Sequence, residues 1–275
     1  MNPRAIAAWS GACLFIALFT SNPAYKVMVL AAAFSVLAVR AGLHRMKRLL
    51  AGVAVIATFD ALLNFVSAHL GRTVLFQLPD AVPALGGPYT LEALAFGASG
   101  GATIAAAILA AAPFSLLLAT DEVIDALPRA LSRTGTTIAA SLNLVPAVST
   151  SFVEVSEAQR LRGWRPRGPR TWAEILVPVV LTSVEGSIQL AESMEARGYG
   201  SGPRTSFRPA RLQAADWALV AASVLAVVLF VVARSAGLAP DWNPYPELSP
   251  PSIDALSSAA GVLLFAPLVT WRSRG

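Results

Sequence analysis

Apolar residues in this 275-residue chain are gathered into long runs, and most polar residues lie in the stretches between them. A run of about 20 apolar residues is long enough to cross a bilayer as a helix. About six such runs are present, and the first two are the shortest. They cover residues 5–20, 27–39, 49–70, 91–119, 217–233 and 253–271. We therefore predict an all-α, polytopic membrane protein with about six spans.

Composition supports a membrane protein. Hydrophobic residues make up 55% of the chain and charged residues 13%, whereas soluble domains carry about 25% charged residues. The mean hydropathy is +0.61. The net charge of +5 is the kind of excess that basic cytoplasmic loops produce. We therefore expect the lipid bilayer, and not nucleic acid, as the surrounding partner.

The basic residues predict an orientation. Arg40, Arg45, Lys47 and Arg48 lie between the second and third spans, and loops rich in Lys and Arg stay in the cytoplasm. Alternation of the spans then places both termini inside and residues 72–92 outside. The acidic stretch between the last two spans also falls outside. The sequence thus predicts a multi-pass protein of the cell membrane, N-in and C-in.

Some residues inside the spans attract attention. Gly97, Gly100 and Gly101 in the fourth run suit close helix packing, because they carry no side chain. Asp60 lies in the third run, with Asn64 one turn later on the same face. An ionisable residue within a span is a functional candidate by default. We interpret Asp60 as a partner in a hydrogen bond between helices, in preference to a substrate or proton site.

Several catalytic classes are excluded by residue usage. A phosphate-binding P-loop needs Gly-Lys followed by Ser or Thr, but the two lysines, Lys26 and Lys47, precede Val and Arg. Cys13 is the single cysteine, so the chain forms no internal disulfide and no Cys-based metal site. His44 and His69 do not form His-Glu-x-x-His. We expect a non-catalytic protein with no metal site and no cofactor.

The chain divides into three parts by pattern. Residues 1–119 hold the first spans, residues 120–213 form a cytoplasmic segment too long for a loop, and residues 214–275 hold the last spans. The cytoplasmic segment has helical patterns of mixed polarity. Thr171 and Glu174 have the spacing of a capping box, which begins a helix. The helices expected in this segment cover residues 121–135, 136–162 and 171–197.

The last two of these helices have matching ends. Residues 157–164 and 192–199 both read Glu-x-x-x-x-Arg-Gly-aromatic, 35 residues apart. A glycine directly after a helix adopts a left-handed conformation and stops it. We therefore predict that Gly163 and Gly198 end the two helices.

The arginines before these glycines could bind a partner. The guanidinium groups of Arg162 and Arg197 can hold a carboxylate at two points. A single end of this kind is most simply interpreted as an ordinary helix cap. Two matched copies favour a partner with two equivalent sockets, and a dimer of ATPase subunits is such a partner.

The second motif, with Ala196-Arg197-Gly198 at its centre, closely resembles the Ala-Arg-Gly motif of the T components of energy-coupling factor (ECF) transporters. This family includes CbiQ-like and BioN-like proteins. The first copy departs from the motif at Leu161, where Ala is usual. The resemblance covers roughly residues 21–199.

The resemblance implies a role and a set of partners. A T component couples two ABC-type ATPases to a small membrane protein, the S component, which binds a vitamin or a metal ion. The motif residues would then dock in the ATPases, and the acidic and small residues before them would support the docking. The docking residues are Arg162, Gly163, Ala196, Arg197 and Gly198, and the supporting residues are Glu157, Ala158, Glu192 and Glu195.

Two other transporter classes remain alternatives. An autonomous secondary transporter should show inverted repeats and broken helices around a midplane site. A conventional ABC permease usually has one short coupling helix in each subunit. The repeat found here is cytoplasmic and lies at helix ends, which favours the T component.

Overall fold

The computed structural model describes residues 2–79, 86–118, 132–165, 168–199, 201–202, 212–239 and 241–270. The chain forms two compact units. One unit comprises Met1–Val123 and Arg211–Gly275, and the other comprises Ile124–Ala210.

Helices make up most of the described chain, with one short hairpin. In chain order the elements are α1 (Pro3–Phe19), α2 (Pro23–Arg40), α3 (Leu43–Ser67), β1 (Val74–Leu78), β2 (Gly87–Thr90), α4 (Leu91–Leu116), α5 (Ser132–Leu161), a 3-10 turn (Pro169–Trp172), α6 (Ala173–Ala196), α7 (Ala214–Ser235), α8 (Ala255–Leu263) and α9 (Ala266–Thr270).

Each predicted span overlaps a helix or, for the sixth, the pair α8 and α9, and α3 begins at Leu43, six residues before the start of its predicted span. The second span was predicted four residues too short at its start, because its first turn contains Tyr25 and Lys26. Asn22 caps that turn by accepting a hydrogen bond from the Ala24 amide at 3.0 Å, and Pro23 follows as the first helical residue. By length and composition, the described helices that are long and apolar enough to cross a membrane are α2, α3, α4, α6 and α7, whereas α1 and the pair α8 and α9 are shorter. The sequence did not predict α6 as a span: it lies in the segment predicted to be cytoplasmic, and that placement stays a prediction. The prediction of a multi-pass helical membrane protein is confirmed.

The core of the first unit is formed by α1, α2, α4 and α7 to α9. Trp9 of α1 is fully buried, and its indole N–H donates to the Leu264 carbonyl at 2.8 Å. The predicted close packing of α4 is also present. A Cβ added to Gly97 would lie 2.7 Å from the Ala61 carbonyl oxygen of α3. Small residues therefore let these backbones approach closely.

A hairpin occupies part of the connection between α3 and α4, which the sequence analysis treated as a loop. Strand β1 pairs antiparallel with β2, and a bulge interrupts the pairing between Val74 and Phe76. The Glu92 carboxylate of α4 accepts hydrogen bonds from the Thr73 amide at 3.1 and 3.2 Å. The start of α4 thus holds the base of the hairpin. Such a strand is too short to be recognised by its apolar pattern alone.

The three connections predicted outside meet at one end of the first unit. Ser21 donates to Asp241 at 2.9 Å, and the Tyr25 hydroxyl donates to Asp254 at 2.8 Å. In the connection between α3 and α4, the Arg72 amide donates to the Pro246 carbonyl at 3.1 Å. Hydrogen bonds from Arg234 and Ser21 hold the pKa of Asp241 below its ordinary value. These contacts agree with the predicted alternation of spans, and the side of the membrane stays a prediction from charge.

Candidate functional site: two Arg-Gly helix ends

The second unit contains α5 and α6, which carry the two repeated motifs at their C-terminal ends. Gly135 was predicted to separate two helices, but α5 runs through it from Ser132. A glycine within a helix costs about 1 kcal/mol relative to alanine, which is too little to end the helix by itself. The predicted helix over residues 121–135 otherwise lies mostly outside the described residues.

The start of α6 also differs from the prediction. Trp172, not Thr171, is the residue before the helix, and it makes no side-chain capping bond. Thr171 lies in the 3-10 turn, where its hydroxyl donates to the Gly168 carbonyl at 2.8 Å. The capping spacing was present in the sequence, but the local turn displaced the helix start by about one residue.

The first motif ends α5 with a double hydrogen-bonded cap. Gly163 has a φ of +88°, a backbone conformation that favours glycine. Its amide donates to the Arg160 carbonyl at 3.0 Å, and the Trp164 amide donates to the Gln159 carbonyl at 2.9 Å. This pairing is the Schellman motif, which satisfies carbonyls that the end of a helix leaves free.

The second motif repeats this cap at the end of α6. Gly198 has a φ of +77°. Its amide donates to the Glu195 carbonyl at 2.9 Å, and the Tyr199 amide donates to the Met194 carbonyl at 2.9 Å. Each donor and acceptor is 35 residues from its equivalent in the first motif. The prediction that Gly163 and Gly198 stop the helices is confirmed.

The residues singled out in the two motifs all lie on the surface. The exposed set is Glu157, Ala158, Arg162, Gly163, Glu192, Glu195, Ala196, Arg197 and Gly198. Within the ranges that the structure describes, the ion pairs are Arg72 with Glu247 and Arg234 with Asp241. The two motif guanidinium groups therefore face outward with their donors available to another molecule.

Leu161 is the residue at which the first motif departs from the family pattern. It is 90% exposed, so the leucine side chain lies almost entirely on the surface at the end of α5. This position was marked in the sequence by the missing alanine, but its exposure depends on the way α5 ends.

The aromatic residues that follow the two glycines have different surroundings. The indole N–H of Trp164 donates to the Thr171 carbonyl at 3.0 Å, and its ring meets Trp172 edge-on at 5.5 Å. Trp172 in turn stacks with Phe152 of α5 at 6.2 Å. Tyr199 is 58% exposed. The first motif is thus tied to the turn before α6, a contact that the sequence analysis missed.

An apolar groove opens between α5 and α6, with a volume of about 710 Å³. Valine side chains dominate it and serine hydroxyls lie among them. The lining residues are Val148, Ser149, Phe152, Val153, Leu176, Val179, Val180, Ser183, Val184 and Ser187. The mixed polarity of this helix was predicted from its sequence, but a groove was not.

Asp60 lies half-buried on α3, against α4. A Cβ added to Gly100 would come 2.6 Å from the Asp60 carboxylate, so this side chain sits directly on the α4 backbone. The side-chain amide Nδ2 of Asn64 donates to the backbone carbonyl of Asp60 at 3.0 Å within α3. The carboxylate is thus placed at a helix–helix contact, and a hydrogen bond across that contact stays a prediction. Among the described residues, no three His, Cys, Asp or Glu side chains gather as metal ligands would.

Comparison with known proteins agrees with the resemblance. Residues 1–207 match the sequence model of the CbiQ family, described as cobalt transport protein. Both Arg-Gly motifs lie within this match. The chain is also similar to the energy-coupling factor transporter transmembrane protein EcfT of Lactobacillus helveticus (strain DPC 4571), with 33% identity over 105 residues. That alignment covers 36% of this chain and 38% of the length of the relative.

Proposed function

The chain belongs to the CbiQ family of cobalt transport proteins, and from this premise we propose that it is the transmembrane coupling subunit of an ECF-type ABC importer. It transmits ATP-driven movement of two ATPase subunits to a substrate-binding S component. The energy source and the substrate site belong to those partners, and this subunit carries no catalysis of its own. The cargo is a vitamin or a metal ion, and the family description makes a cobalt ion the first to test.

The matched caps of α5 and α6 carry this proposal. Each cap projects an exposed arginine, Arg162 or Arg197, from a helix end whose backbone is fixed by two hydrogen bonds. A guanidinium fork binds a carboxylate with defined geometry. Two such forks on one compact unit suit the two equivalent sockets of an ATPase dimer. When the dimer closes on ATP, the distance between its sockets changes and α5 and α6 are pulled with them.

The groove between α5 and α6 supports the second half of the role. Helices at a membrane surface that expose a continuous apolar face are expected to meet another apolar surface. On this proposal the S component lies against the valine-rich faces of α5 and α6, so movement of the helix ends reaches it directly. Val180 and Val184 of α6 are among the exposed side chains that line this groove.

The test is recovery of partners from native membranes. The tagged chain is purified in mild detergent and its partners are identified by mass spectrometry. Two nucleotide-binding subunits and a small apolar membrane protein are expected. Recovery of the chain alone, under conditions that preserve other ABC complexes, would contradict the proposal and favour an autonomous transporter.

A matched set of variants separates docking from general damage. Arg162→Ala and Arg197→Ala should reduce recovery of the ATPases. Arg160→Ala removes an exposed arginine from the last turn of α5, two residues before the motif arginine. Because Arg160 is not a motif residue, this control should recover the ATPases at the wild-type level.

A further inference from the structure

Strand β1 presents an unusually apolar surface. Val74, Leu75 and Phe76 are consecutive, and they are 50%, 51% and 49% exposed. In a regular strand successive side chains alternate between two faces. Here the bulge between Val74 and Phe76 interrupts the pairing with β2, and a bulge re-aims side chains locally. All three neighbouring apolar side chains are about half exposed, and the ring of Phe76 also stacks on Tyr89 of β2 at 4.6 Å.

The hairpin is held in place at its base. The Leu91 amide donates to the Thr73 carbonyl at 3.0 Å, and the Arg72 amide donates to the Pro246 carbonyl at 3.1 Å. The Arg72 guanidinium also pairs with Glu247. These bonds tie the hairpin to α4 and to the connection between α7 and α8. The exposed apolar surface therefore has a fixed position relative to the spans.

This surface is continuous with the outer face of α3. Only Met46 and Val53 of that helix are buried. Its large apolar side chains that are exposed are Leu43, Val55, Ile56, Phe59, Leu62 and Leu63. Phe65, near the end of α3, meets Phe76 of β1 at 6.1 Å and Tyr89 of β2 at 5.3 Å. The face of α3 that meets lipid thus passes directly into the hairpin.

The length of α3 places the hairpin at the bilayer surface. Its apolar part, residues 49–67, is about 28 Å long at the rise of an α-helix, close to the ~30 Å hydrocarbon thickness. The hairpin follows at the level of the headgroups, where aromatic side chains are enriched. Among its described residues, 68–79 and 86–90, Arg72 is the one Lys, Arg, Asp or Glu, and it already has a partner.

We propose that β1 inserts Val74, Leu75 and Phe76 into the boundary between headgroups and acyl chains, and that the hairpin anchors this end of the chain to the bilayer. Continuity with the lipid-facing side of α3 favours lipid over a protein as the occupant. In the predicted orientation this is the outer leaflet. The anchor holds one end of the spans at a fixed depth, independently of any ATPase or S component.

Spin-label accessibility in lipid nanodiscs tests the anchor. The buried Cys13 is replaced by Ala in the full-length chain, and a nitroxide is attached through Leu75→Cys. Ser249→Cys, an exposed polar position at the same end, is the matched control. The label at position 75 should collide more often with O₂, which concentrates among acyl chains, than with a water-soluble nickel chelate. The label at position 249 should show the opposite order.

Two results would overturn the anchor. A label at position 75 that meets the nickel chelate as readily as the control would place the hairpin in water. A label shielded from both reagents would mean that protein, either a partner or a second copy, covers the strand. Leu70, which is also exposed, provides an independent label site if L75C yields little folded protein, and the lipid-like order is expected there too.

Discussion

The ends of α5 and α6 have the same backbone and different surroundings. In both, a left-handed glycine and two hydrogen bonds close the helix behind an exposed arginine. After the first glycine, Trp164 is fixed to the Thr171 carbonyl and to Trp172. After the second, Tyr199 is largely exposed. The comparison teaches that a local sequence motif sets the shape of each end, while the neighbouring chain sets how firmly that end is held.

The largest effect is expected from removing either arginine. Arg197→Ala or Arg162→Ala leaves a carboxylate of the partner unpaired, a loss of typically about 2–5 kcal/mol. Affinity for an ATPase subunit should therefore fall by roughly 30-fold to a few thousandfold. Titration of purified ATPase onto the detergent-solubilised chain measures this, with Arg160→Ala as control. Wild-type affinity in both arginine variants would reduce the repeat to a pair of helix caps.

Alanine in place of either glycine should disrupt the left-handed cap conformation that the two helix ends share. A non-glycine residue in the left-handed region costs about 1–2 kcal/mol. Gly198→Ala should cost more than Gly163→Ala, because the added Cβ at 198 lies 3.1 Å from the Ser201 hydroxyl whereas nothing lies within 4 Å at 163. Hydrogen exchange of the Tyr199 and Trp164 amides reports the loss of each cap.

The control for the glycine variants lies inside α6. Gly186 has open space around it and lies within the helix, where alanine is favoured over glycine by about 1 kcal/mol. Gly186→Ala should therefore slow exchange in α6 while Gly198→Ala speeds it at the end. Equal effects of both changes would contradict the assigned cap geometry.

Removing the aromatic residues should sharpen the difference between the ends. Trp164→Ala loses one hydrogen bond and one aromatic pair, together about 1–3 kcal/mol. Tyr199→Ala removes an exposed ring and should change stability by less than about 0.5 kcal/mol. Exchange rates at the start of α6 measure the first effect. Similar destabilisation by the two variants would mean that Trp164 does not tie the first end to the turn.

The smallest effect is expected at Leu161. Because this side chain is almost fully exposed, Leu161→Ala should change the stability of α5 by no more than about 0.5 kcal/mol. The change restores the alanine usual in the family motif, so ATPase affinity should be equal or higher. A clear loss of affinity would show that the leucine itself contacts the ATPase.

Features set by neighbouring residues were predictable from the sequence. The glycine stops followed from the conformational freedom of Gly163 and Gly198, and the close packing of Gly97 on α3 followed from its missing side chain. The spans followed from apolar length, although the polar first turn of α2 was left out. Each of these features depends on a few adjacent residues and on the bilayer.

Features that depend on distant or irregular backbone were missed. The contact of Trp164 with Trp172 requires the 3-10 turn between them, and no periodic pattern indicates such a turn. The same turn moved the start of α6 away from Thr171. The hairpin was missed because β1 has only five residues, and its bulge prevents the alternation by which a strand is recognised.

The central claim is that the two helix ends occupy two equivalent ATPase sites. Native mass spectrometry of the complex without nucleotide counts the ATPase subunits bound to each chain. We predict two for the wild type and for Arg160→Ala, one for Arg162→Ala and for Arg197→Ala, and none for the double arginine variant. A double variant that retains both ATPase subunits would contradict the account.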